Sequence, residues 1–197
     1  FYESLGIARY VYTQLPQEAD ALLDFLSVRY RMEQEPLVGQ EPLIEVATES
    51  GTVYVYEVSA ERYLPMGFTM DQWMPLEQFT ELTQEERMEL LVLTVVLSEE
   101  ERDALQDAGY SGYLAELQAD EALLRLEERE QVVEAKRLST PVELTRTATG
   151  LEAIYERVEP GLAYYTIPAD RGWTATVNGE DVTLLTANGF LLVPLPE

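Results

Sequence analysis

The side chains of this 197-residue chain that can do chemistry are carboxylates, tyrosines, arginines and a single lysine, Lys136, because the sequence holds no histidine and no cysteine. Imidazole bases, Ser-His-Asp and Cys-His nucleophiles, imidazole or thiolate zinc sites and disulfides are excluded by that composition. Thirty-seven acidic residues make a carboxylate-only hydrolase conceivable. At that density, however, carboxylate pairs arise by chance and their spacing identifies no glycosidase. No EF-hand loop, phosphate-cradling glycine loop or dinucleotide fingerprint is present. No catalytic residue, metal ligand or cofactor is assigned. What remains is recognition: Trp173, Asp170, Arg171 and Tyr165 are the candidate glycan contacts, since aromatic faces suit the apolar faces of sugar rings. Each has a competing structural duty. A Trp in an alternating strand is more often core or sheet surface, Asp170 can cap a turn, and Arg171 beside it can form an exposed ion pair of little value.

The elements that must position these residues are legible in the C-terminal stretch. Trp173, Ala175 and Val177 alternate with Thr174 and Thr176, and Asn178-Gly179 supplies the dipeptide that tolerates positive φ in a tight hairpin turn before Val182 and Leu184. A second break at Asn188-Gly189 introduces the apolar strand Phe190 to Val193, and Pro194 and Pro196 are expected to end its ladder. Three short strands in a meander are predicted.

Upstream, Ala19 to Leu26 reads as an amphipathic helix, with Pro16 suiting its start, and Ser27 to Met32 as a strand with Val28, Tyr30 and Met32 on one face. Leu43 to Thr48 and Thr52 to Glu57 flank Gly51 as a candidate hairpin, with Tyr54 and Tyr56 sharing a face. From Leu76 to Arg137 the pattern turns helical. Thr83 with Glu86 and Ser98 with Glu101 fit capping boxes, and the Val-Val-Leu stretch after Leu93 favours a strand. Between Glu77 and Arg137 lie 17 acidic and 6 basic residues, read as a solvated outer face, and no heptad persists long enough for a coiled coil. The fold class expected is α+β: sandwich-like antiparallel sheets built from segments 1–75 and 138–197, with 76–137 inserted as an acidic helical region.

Two stretches carry a family likeness. Thr166, Ile167, Pro168, Asp170, Gly172, Trp173, Ala175, Val177, Asn178, Gly179, Val182, Asn188, Gly189 and Phe190 follow in an order that resembles the extracytoplasmic C-terminal region of the YfhO family, polytopic bacterial membrane proteins related to glycosyltransferases. Val53 to Phe79 is similar to that family's strand ending in a Tyr-Glu pair, its Leu-Pro-x-Gly-Phe turn and the helix start beyond it. Leu22 to Met32 is similar to its leucine-rich helix and following strand. The chain departs from the pattern at Ala169, where the family has Tyr, at Arg29 for Lys and at Ser27 for Gly, and Ala104 to Arg137 is the least familiar portion. The resemblance implies a noncatalytic extracytoplasmic domain at the bacterial cell membrane, serving glycosylation of envelope polymers such as lipoteichoic acid from a polyprenyl-phosphate sugar donor. Its partners would be the transmembrane region of the same polypeptide and an envelope glycopolymer. The alternative is a stand-alone carbohydrate-binding module.

Charge and hydropathy fit that expectation. A formal net charge of −24 opposes nucleic acid and anionic lipid. The longest apolar run, Leu90 to Leu97, is interrupted by Thr94 and is well under the roughly 20 residues that span a bilayer. No basic, then apolar, leader pattern opens the sequence at Phe1. Spanning helices are expected outside this stretch.

Overall fold

The computed structural model describes residues 20–58, 64–156 and 159–196; the expected helix start at Pro16 and part of the Val53 to Phe79 likeness lie outside them. The chain is α+β, with several antiparallel sheets in a sandwich-like arrangement.

Helix α1 (Asp20–Phe25) buries Ala21, Leu22, Leu23 and Phe25. Strands β1 (Tyr30–Glu33), β2 (Ile44–Thr48) and β3 (Gly51–Glu57) form an antiparallel sheet in the order β1-β3-β2. Val28 precedes the first strand, its N–H donating to Leu23 O. The register places Met32 and Ile44 opposite Val55, and Val46 opposite Val53. One face of this sheet is therefore apolar. It remains open, with Met32 at 75% and Ile44 at 53% exposure. On the other face Tyr56 is buried, and its hydroxyl accepts a hydrogen bond from Leu37 N at 2.8 Å.

Strand β4 (Phe68–Met70) leads to β5 (Gln72–Pro75), then α2 (Leu76–Glu81), α3 (Gln84–Leu90), β6 (Val95–Leu97), α4 (Glu99–Asp107), β7 (Ala115–Glu116), α5 (Ala119–Leu126) and α6 (Arg129–Leu138). Both expected capping boxes form: the Thr83 and Ser98 hydroxyls accept from Glu86 N and Glu101 N, and the two glutamates return to the cap N–H groups. The strand after Leu93 is β6. The 76–137 region is not purely helical, because β6 and β7 flank β5 in a three-stranded parallel sheet, a pairing that needs the helical crossovers α2–α3 and α4.

Strands β8 (Glu143–Arg146) and β9 (Leu151–Ile154) make one hairpin, and β11 (Ala175–Val177) and β12 (Glu180–Val182) another, turning at Asn178 (φ 54) and Gly179 (φ 85). Strands β10 (Gly161–Pro168), β13 (Leu185–Ala187) and β14 (Phe190–Leu195) join β4 in the order β13-β14-β10-β4. The expected three-stranded meander is thus four strands in two sheets. Pairing also continues through Pro194, which stands opposite Leu162. The neighbour on the other side of β14, β13, ends opposite Leu192, so the missing proline N–H interrupts no ladder there.

This central sheet is apolar on both faces, as continuous strands buried on two sides must be. One face sends Leu162, Tyr164, Phe190 and Leu192 into the main core with α1, β4, β5 and the helices; the other sends Ala163, Tyr165, Leu191 and Leu195 against the two hairpins. Phe25, Phe68, Tyr164 and Phe190 form an aromatic cluster with centroid separations of 5.5–6.2 Å. The Tyr164 hydroxyl donates to Ala187 O at 3.1 Å, and burial, with Glu101 nearby, pushes it well above the ordinary phenol range. Asn188 (φ 52) is buried at the β13–β14 turn; its side-chain amide donates to Val96 O and its N–H to the Glu101 carboxylate, both at 2.8 Å. One glutamate thus caps α4 and ties it to the sheet.

Among the described residues, the contacts of Arg129 and Lys136 carry ionic groups into the interior. Arg129 of α6 meets the buried Asp24 of α1 at 2.8 Å, and the Arg129 Nε is buried with no hydrogen-bond partner. Lys136 of α6 is buried; it donates to Thr69 O at 2.9 Å and to Asp71 Oδ1 at 3.2 Å. It borders a cavity of about 610 Å³.

Candidate ligand-binding cleft

Where the two hairpins spread over the outer face of the central sheet they leave a cleft of about 590 Å³. Strand β9 supplies Leu151 and Ala153, β10 supplies Tyr165 and Ile167, the segment entering β11 supplies Trp173, and β14 supplies Leu191 and Val193. Odd-numbered residues recur because the period of a strand is two, and every second residue faces the hairpin layer. Among the described residues, no charged side chain lines this cleft, although a quarter of the chain is charged.

Of the four residues expected to contact a glycan, the structure brings Tyr165 and Trp173 together here. Trp173 is half-buried, and a Cβ at Gly150 would lie 4.0 Å from its ring. Asp170 and Arg171 sit on the exposed turn before it and are not part of the lining. The Asp170 carboxylate accepts from Gly172 N at 3.2 Å, and its carbonyl accepts from Trp173 N at 3.2 Å. Asp170 is the turn cap foreseen as its structural duty; the ion pair envisaged with Arg171 does not form, because the carboxylate is turned to its own backbone.

Sequence reasoning missed Tyr155 and Gly67. The Tyr155 hydroxyl is hydrogen-bonded to Gly67 O, and it stands 2.7 Å from the Tyr165 hydroxyl. Burial raises the Tyr165 phenol pKa, and the Tyr155 contact offsets part of that rise. Gly67 has φ +85, and a Cβ there would lie 2.6 Å from the Tyr155 hydroxyl and 2.8 Å from the Tyr165 ring. The contact joins positions 88 residues apart, so no local pattern announces it.

No protein-family model, curated protein or solved structure matches this chain. The cleft must be read from its own chemistry. Two tyrosines and an open indole offer stacking and hydrogen bonding, and among the described lining residues there is no carboxylate, lysine or arginine. Elsewhere, among the described residues, no group of three or more carboxylates is placed to hold a metal ion, and no helix is long and apolar enough to cross a membrane.

Proposed function

We propose that this chain is a noncatalytic extracytoplasmic domain of a YfhO-like membrane protein, holding an envelope glycopolymer for glycosylation by the membrane-embedded part of the same polypeptide. The likeness of Thr166 to Phe190 and of Val53 to Phe79 supports the family. The observation that supports the role is the convergence of Trp173 and Tyr165 in a cleft whose described lining residues include no charged side chain. In this reading the transferase chemistry resides in the parent protein's membrane-proximal loops, and these residues supply affinity and orientation.

Two experiments test this. The reading frame upstream of Phe1 should encode roughly ten or more apolar spans of bilayer length; a frame without them removes the transferase association. The second is a titration with lipoteichoic acid, in which Trp173→Ala should weaken binding roughly tenfold, the loss of an aromatic contact worth about 1 kcal/mol or more. Its melting temperature should stay close to that of the parent sequence, because the indole is half-buried. A stand-alone carbohydrate-binding module is the second reading, favoured by the same cleft. Binding of the isolated domain, with no effect of its deletion on polymer glycosylation in cells, would select it.

A further inference from the structure

The sheet β1-β3-β2 ends in two unlike edges. In β1, Arg31 and Glu33 form an ion pair, and a charged edge discourages further pairing. Strand β2 has no such protection. Its residues Ile44-Glu45-Val46-Ala47-Thr48 hold one charge and no Pro or Lys, keep an unbroken register with β3, and are all exposed. Among the described residues nothing pairs with the outer side of β2. A row of backbone donors and acceptors in that state is a template for another strand.

We infer that the strand β2 receives is β2 of a second copy, antiparallel across a twofold axis through Val46, so that the two sheets continue as one. The charges select this register. A twofold normal to the sheet keeps the apolar faces of both copies on the same side, and the axes that align three or more residues of β2 pass through Glu45, Val46 or Ala47. An axis through Glu45 sets that carboxylate against its own copy, and one through Ala47 sets it against Glu49 of the turn. Like charges directly opposite destabilise a sheet. The axis through Val46 aligns all of β2: Val46 meets Val46, Ile44 meets Thr48, and Glu45 meets Ala47, with no carboxylates face to face. Ile44 and Val46, at 53% and 44% exposure, thereby gain β-branched partners on the apolar face. The net charge of −24 on each chain opposes association, but at physiological salt the screening length is only about 8 Å. Added salt therefore tightens this dimer, the opposite of its effect on one held by ion pairs.

Sedimentation equilibrium of the whole chain, from micromolar to submillimolar loading, tests this. A reversible monomer–dimer equilibrium is expected, tightening from low to physiological salt. Val46→Lys brings two ammonium groups together at the axis and should leave a monomer. Its melting temperature should match that of the parent sequence, because Val46 is exposed. Ala47→Lys places a lysine opposite Glu45 of the other copy, twice by symmetry, and should tighten the dimer about fivefold, the scale of two cross-strand charge pairs. Ala148→Lys makes the same charge change on the exposed β8–β9 turn and should have no such effect. A chain that stays monomeric at every loading and salt concentration, its edge kept for some other strand, overturns the proposal. So does a dimer that survives Val46→Lys or loosens in Ala47→Lys. The glycan reading of the cleft stands or falls separately, on the titration above.

Discussion

Gly67→Ala is expected to lower unfolding stability by about 3 kcal/mol or more, enough to shift a urea midpoint by more than 1 M at an m-value of roughly 2 kcal/mol/M. Two costs combine. The backbone at φ +85 lies in the left-handed region, which charges a β-carbon about 1–2 kcal/mol. The new methyl would also meet the Tyr155 hydroxyl at 2.6 Å and the Tyr165 ring at 2.8 Å, and forcing extra volume into a packed site costs about 1–3 kcal/mol. Neither ring can swing away cheaply, because each is held by the other's hydroxyl and Tyr165 is buried in the hairpin layer. The companion variant Tyr155→Phe separates these effects. It should cost only about 1 kcal/mol alone, and in the double variant it should recover part of the Gly67→Ala loss, since the atom nearest the new methyl is gone. Urea unfolding followed by tryptophan fluorescence measures all three; full stability in Gly67→Ala would mean that the rings do not pack on this turn.

Arg129→Met should be comparably severe, at about 3–5 kcal/mol, because it breaks the ion pair of the buried Asp24 carboxylate by removing one partner. The pair itself is not an efficient source of stability. Arg129 Nε is buried without a partner, so the guanidinium has surrendered water it does not fully replace. Converting both residues, Asp24→Leu with Arg129→Met, should therefore return most of the loss, and the double variant should melt near the parent protein. A double variant as unstable as the single one would show that α1 and α6 depend on that ion pair for registry and not only for charge balance.

The chain yielded its local features to sequence reasoning and withheld its distant ones. The Asn178-Gly179 hairpin, the Thr83 and Ser98 capping boxes and strand β6 depend on residues within a few positions of one another, where backbone preference and side-chain geometry decide the outcome. Strand β7 is two residues long, Ala115–Glu116, and has no alternation to read; it exists because β5 offers an edge. Trp173 and Tyr165 could be nominated as contacts from residue type, but only the fold shows that they share a cleft while Tyr164, one position earlier, faces the core. Asp170 takes the turn-capping duty its residue type suggested, and it and Arg171 lie outside the lining. Adjacency in sequence suggested a charged pair, and the turn geometry gave the carboxylate to Gly172.

The buried position of Lys136 has a practical consequence. It is the only lysine of the sequence, and it is buried beneath α6 with its ammonium on Thr69 O and Asp71. A lysine-specific protease therefore has one peptide bond to cut, in the last turn of a helix that must leave the core before an active site can close on it. In limiting protease the chain should remain whole while folded and fall into two fragments, 1–136 and 137–197, at a rate set by the population of opened molecules. A single band change on a gel would then report opening of α6, with no fluorophore or engineered site.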